Sequence, residues 1–166
     1  MGTQDRIRSR TRGHQDRQIQ EVVHDPYQER YKPSGPAFCP RCDAIFHDGR
    51  WQWGDKGVSA QEHVCPACRR IQDHFPAGHV TLSGSFLAEH ASDISGLIGN
   101  EEARAKAEHP LERIIELKKD GTDIVITTTG THLPRRIGEA LQHAWKGELE
   151  IKYAPNEYLV RVHWKR

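Results

Sequence analysis

Two Cys-x-x-Cys turns carry the clearest chemistry in this chain: Cys39-Pro40-Arg41-Cys42 and Cys65-Pro66-Ala67-Cys68, with 22 residues between them. At that spacing four thiolates converge on one tetrahedral Zn²⁺ ion, with sulfur at about 2.3 Å. Each two-residue spacer makes a tight turn whose backbone N–H groups can point at sulfur, and the proline after each first cysteine stiffens it. Soft thiolates select zinc, which has no redox chemistry of its own. Four sulfurs leave no open coordination position, so the expected ion is structural rather than catalytic. The competing chemistry is a dithiol–disulfide couple. Such motifs usually occur once, at a helix start in a βαβ unit. Here the motif occurs twice in a hairpin-rich stretch, which favours zinc, with iron or free thiols behind it. His63, two residues before Cys65, reads as a turn or surface histidine rather than a replacement ligand. A four-thiolate site carries a formal −2 charge, and the neighbouring Arg41, Arg69 and Arg70 are expected to offset it.

Three further groups of residues are candidates for a binding surface. In Arg50-Trp51-Gln52-Trp53 a strand puts both tryptophans on one face. Exposed, they would stack on unpaired bases; buried, they would cover the cysteine unit or seal it against the next domain. Thr131-His132-Leu133-Pro134-Arg135-Arg136 opens the strongest amphipathic helix. Arg135 and Arg136 stand against the dipole there, partly compensated by Glu139, which suggests an anionic ligand at the helix start. A solvated charged face is the plainer reading. Arg161, His163 and Lys165 alternate along the last strand, with Lys152 on its partner, as a basic stripe or an ordinary outer sheet face.

The elements that must position these residues are read from pattern. Residues 1–36 read as a flexible basic arm and linker, with five arginines in the first 17 positions and no core periodicity. Ile19, Val22 and Val23 allow one amphipathic turn before Pro26. Residues 37–78 read as a zinc ribbon of short extended pieces, with Asp48-Gly49 as a hairpin turn. A 42-residue ribbon needs its metal to fold. Residues 79–166 read as an α+β domain. It comprises a strand at 80–83, a helix begun by Ser85 and closed by Gly99, and a polar helical stretch over 101–108. A helix opened by Pro110 comes next, with Leu111, Ile114, Ile115 and Leu117 inward, then a β-branched strand over 123–129. A helix over 131–146 and a terminal hairpin complete it. The order β-α-α-β-α-β-β predicts a small mixed sheet with helices on one face.

Composition bounds the rest. The 166 residues are 36% hydrophobic, with 24 basic and 23 acidic side chains. Mean hydropathy is −0.78. Residues 1–36, 37–80, 81–130 and 131–166 carry net charges of +2, 0, −4 and +3. No run of about 18 apolar residues occurs, so no membrane-spanning helix is expected. The N-terminus has no apolar stretch of a secretory signal, and four cysteines are too few for a disulfide scaffold. A reducing, cytoplasmic location is the expectation. There is no Gly-Lys-Ser/Thr phosphate loop and no Gly-x-Ser-x-Gly elbow. No catalytic constellation is found, so an enzyme is not expected.

The segments Phe38-Cys39-Pro40-Arg41-Cys42, Gly49-Arg50-Trp51, Cys65-Pro66-Ala67-Cys68-Arg69-Arg70 and Thr131 to Leu141 together resemble a known group. It is the small bacterial zinc proteins related to the nonsense-mediated mRNA decay protein 3 family, whose eukaryotic member is the export adaptor of the large ribosomal subunit. The resemblance spans about residues 37–153. This chain has two Cys-x-x-Cys pairs where larger members carry more zinc-binding cysteines, and it lacks their additional domains. Nuclear export is therefore not carried over. The resemblance implies association with the ribosome or structured RNA. The expected phosphate and base contacts are Arg41, Arg50, Trp51, Trp53, Arg69, Arg70, Arg135 and Arg136. The alternative is an adaptor whose tryptophan hairpin and acidic helices dock a protein; a thiol oxidoreductase is a third reading.

Overall fold

The computed structural model describes residues 24–166; the arginines of the first 17 positions and the turn expected at 19–23 lie outside the described residues. Helix α1 (Pro26–Arg30) starts where Asp25 accepts a hydrogen bond from Tyr27 N at 2.9 Å, with Pro26 in the first helical position. So the end of the expected linker is a docked turn: the Tyr27 hydroxyl donates to Asp73, and its ring stacks on Phe75.

A four-stranded sheet comes next, ordered β3-β2-β1-β4, from β1 (Ala37–Phe38), β2 (Ile45–His47), β3 (Arg50–Gln52) and β4 (Gln61–Glu62). Asp48 and Gly49 both take positive φ, the geometry a two-residue hairpin turn requires. Helix α2 (Pro66–Asp73) packs behind. Ala37, Phe46, Trp51, Ala67 and the cysteines form this half's core, with Leu111 from the second half against it.

The second half is a five-stranded mixed sheet of order β6-β7-β5-β9-β8. Its elements in chain order are β5 (Gly78–Ser83), α3 (Phe86–Glu108), β6 (Ile114–Asp120), β7 (Asp123–Thr128), α4 (His132–Trp145), β8 (Glu148–Tyr153) and β9 (Val160–Lys165). Within this sheet only β5 and β9 pair in parallel. Strict alternation buries Val80 and Leu82, Ile124 and Ile126, and Val160, Val162 and Trp164 on one face, where α3 and α4 supply Leu87, Ile94, Ile98, Leu133, Ile137 and Leu141. Gly138 lets α4 approach closely, because a Cβ there would come within 2.8 Å of Leu149 and Val162. The chain is thus α+β with both helices on one face of the mixed sheet, as the pattern implied.

Two local expectations are corrected. Gly99 does not close a helix: α3 runs on to Glu108 through a kink at His90 and ends before Pro110, which cannot follow a helical residue easily. Gly99 meets nothing within 4 Å, so only its modest propensity cost opposes continuation. Residues 114–120 are not a helix but strand β6, turned by Gly121 at φ +62 into β7. A register shift between Ile114 and Glu116 breaks the two-residue period at this sheet edge, leaving apolar spacing that mimics a helix. The observed order is β-α-β-β-α-β-β.

Candidate metal centre

Local backbone geometry brings the four cysteines together. Cys39 leaves β1 into a turn closed at both ends: its N–H donates to Ala44 O at 2.8 Å, and its carbonyl accepts from Asp43 N at 2.9 Å. Asp43 reverses the chain at φ +62. Cys65 is the N-cap of α2, with extended backbone and Pro66 next, so Cys68 lies one turn later on the same side. Backbone N–H groups point at sulfur: Cys65 N to Cys39 Sγ and Cys68 N to Cys65 Sγ, both at 3.4 Å.

The four Sγ atoms all lie within 4.8 Å of one another. Cys42 Sγ and Cys65 Sγ, from different turns, are 3.8 Å apart, far beyond the roughly 2.05 Å of a disulfide. A tetrahedral ion with sulfur at about 2.3 Å requires a sulfur–sulfur edge of about 3.8 Å. Cys39, Cys65 and Cys68 are buried and Cys42 partly so. The set fits one metal ion held by Cys39, Cys42, Cys65 and Cys68.

The nearest positive charge is not the one sequence adjacency suggests. Arg113 Nη2 donates to Cys68 Sγ at 3.1 Å and to Cys65 Sγ at 3.4 Å. Hydrogen bonds from Cys42 and Cys65, followed by the Arg113 guanidinium, hold the Cys68 thiol well below its ordinary range. Hydrogen bonding with Cys42 and Cys68 pushes the Cys65 thiol up, and burial adds to this. Arg41, Arg69 and Arg70 do not reach sulfur. Only the charged dipeptide Glu112-Arg113, sandwiched between Pro110-Leu111 and Ile114-Ile115, hinted at a buried pair in the sequence.

The expected nucleic-acid residues do not form one exposed basic face. Arg41 and Arg50 are exposed. Trp51 is buried beside Phe46, with ring centroids 5.5 Å apart. Trp53 is 37% exposed, and its Nε1 donates to Lys106 O at 2.6 Å, so it seals the first half against α3. Arg69 lies over the Tyr31 ring and donates to Val64 O. Arg70 is 1% exposed and pairs with Asp25 at 2.7 Å, which leaves it no surface for a phosphate. Arg135 pairs with Glu139, and Arg136 with Glu101 and Glu108 of α3.

The anion at the start of α4 also proves internal. Thr131 makes no side-chain cap; instead the buried Glu112 accepts from Leu133 N at 2.9 Å. Burial pushes the Glu112 carboxyl up, partly countered by the Leu133 hydrogen bond. Arg161, His163 and Lys165 do line the open sheet face, but Lys152 pairs there with Glu150 and His163 shares a hydrogen bond with Ser83.

What the fold does gather is a cleft of about 880 Å³ between the halves, where Arg50 from the first meets Arg135, Arg136, His109 and His132 from the second, with Glu108 and Glu139 interspersed. No helix among the described residues is long and apolar enough to cross a membrane. Compared with known proteins, the chain matches no family model, no curated protein and no solved structure.

Proposed function

We propose that the protein is a structural-zinc module, without catalysis of its own, that binds RNA or the ribosome in the cytoplasm. The observation that carries this reading is the all-sulfur cluster. Four soft donors select zinc over harder cations and leave no position for substrate. The ion then acts structurally, holding the short segments that present Arg41 and Arg50. Three things support the polyanion: these two exposed arginines, the cleft where Arg50 faces Arg135 and Arg136, and the resemblance to the nonsense-mediated mRNA decay protein 3 family. The pairing of Arg135 and Arg136 with carboxylates favours a second reading, a protein partner docked in the same cleft.

One experiment separates them: metal content and co-sedimentation with ribosomes across a salt series. RNA binding predicts one zinc per chain and a log–log slope of about one unit per phosphate contact. The double charge reversal Arg41→Glu/Arg50→Glu should abolish it. A ribosome complex indifferent to salt and to that variant transfers the role to the protein partner, and absence of bound metal removes the zinc reading.

A further inference from the structure

We infer that Arg113 is the counter-cation of the metal centre, and that through Arg113 an ion bound by the cysteines fixes the start of α4, which forms one wall of the cleft. The inference rests on the metal reading above and goes beyond it, by making the ion a clamp between the halves rather than a staple within one.

The first argument is about charge. Arg113 is 8% exposed, and among the described residues no carboxylate lies within ion-pair distance of it. Its Nε is buried without a partner, and its side-chain hydrogen bonds run to Cys65 Sγ and Cys68 Sγ. A guanidinium removed from water requires a compensating negative charge. Neutral thiols do not supply one. Four thiolates around a divalent ion carry a net −2 and do, so the burial of Arg113 makes sense around an occupied site. Outer-shell groups hydrogen-bonded to metal ligands typically matter 10–100-fold to affinity.

The second argument is about connection. Arg113 belongs to the second half, 45 residues beyond Cys68. Its backbone is tied on both sides to Thr129: Arg113 N donates to Thr129 Oγ1, and Thr129 N donates to Arg113 O, both at 2.9 Å. The Thr129 hydroxyl also reaches Leu111 O at 2.6 Å. Glu112, between them, holds Leu133 N. A Cβ on Gly130 would collide with the Glu112 carboxylate, so the chain closes tightly around it. Residues 111–113 therefore grip the sulfur cluster with one side chain and the first turn of α4 with the next.

The test uses the full chain as wild type, Arg113→Met and Arg113→Lys. Zn²⁺ affinity is measured by chelator competition, and amide hydrogen exchange is followed with and without chelator. Arg113→Met should bind Zn²⁺ 10–100-fold more weakly, with Arg113→Lys between the two. In the wild type, chelation should accelerate exchange at Thr129 and Leu133 at least about tenfold while Ile126 and Val162 in the sheet centre stay protected. In Arg113→Met those two amides should already exchange fast, whatever the chelator does. Wild-type affinity in Arg113→Met overturns the counter-cation role. Exchange at 129–133 that ignores chelation in the wild type overturns the clamp, and this arm stands even if Arg113→Met does not fold. A wild type with no measurable Zn²⁺ affinity overturns the metal reading itself.

Discussion

Replacing Asp25 by alanine should be among the most destabilising single changes outside the sheet core. Asp25 Oδ1 lies 2.7 Å from Arg70 Nη2, and both side chains are buried. The guanidinium has few alternatives: Nη1 donates to Phe75 O at 3.1 Å, Nε has no partner, and Tyr27, Phe75 and Tyr158 surround it with rings. Removing one member of a buried pair typically costs about 3–5 kcal/mol, because the other is left charged and dry. Asp25 also caps α1 through Tyr27 N, worth about 1 kcal/mol more. The expected loss is therefore about 4–6 kcal/mol, a large share of a typical stability of about 5–15 kcal/mol. Asp25→Asn retains a cap and an acceptor, so it should cost distinctly less. Arg70→Met combined with Asp25→Asn should recover most of the loss, giving a double-mutant coupling of several kcal/mol. Urea unfolding of the metal-loaded protein, followed by tryptophan fluorescence, measures all four corners. A cost below about 1 kcal/mol for Asp25→Ala would refute the reasoning, since it would mean that residues 24–31 peel away and water solvates Arg70 cheaply. The Arg135–Glu139 pair, also at 2.7 Å but exposed, is the control and should respond weakly and mainly at low salt.

Two further outcomes test the sheet. Gly78→Ala drives a methyl into Pro134 Cγ and Thr128 Oγ1 and to 3.0 Å from the Gly130 carbonyl, so it should lower stability by about 1–3 kcal/mol or more in the same unfolding assay. His79, half-buried opposite Arg161 on β9 and Thr127 on β7, has its pKa lowered from 6.5, by burial first and by Arg161 second. The unfolded chain then takes up a proton near pH 6.5 while the folded one resists until lower pH. The unfolded state binds more protons in that window, so stability falls as pH drops below 6.5. His79→Gln should flatten that part of a Tm-against-pH curve and leave it unchanged above pH 7; an unaltered slope would remove His79 as the cause.

Much of this architecture was legible because its signals are local. The cysteine spacing, the Asp48-Gly49 turn, the β-branched run of β7, the alternation of β9 and the amphipathic period of α4 each need only a few neighbouring residues to be read, and each is realised. What misled was tertiary. Strand β6 lies at a sheet edge, where Glu116 to Asp120 are all exposed and no buried face enforces a period of two. Burial of Trp51 and Arg70 depends on the groups that pack over them, which spacing does not encode. Arg113 was unreadable for the same reason: it is distant in sequence from every ligand it serves.

The charge profile shows the same limit in a form that bears on function. Along the chain, segment 81–130 is net acidic at −4 and segment 131–166 net basic at +3. In the fold the two segments meet at the start of α4. Arg136 of α4 meets Glu101 and Glu108 of α3, and the start of α4 meets Glu112. Segregation along the chain has become complementarity in space. A polyanion entering the cleft must therefore compete with carboxylates already there, so any affinity through Arg135 and Arg136 should be modest and strongly salt-dependent. Arg41 and Arg50 are exposed and neither is in an ion pair among the described residues, which is why their double reversal, and not that of Arg135 and Arg136, is the decisive variant.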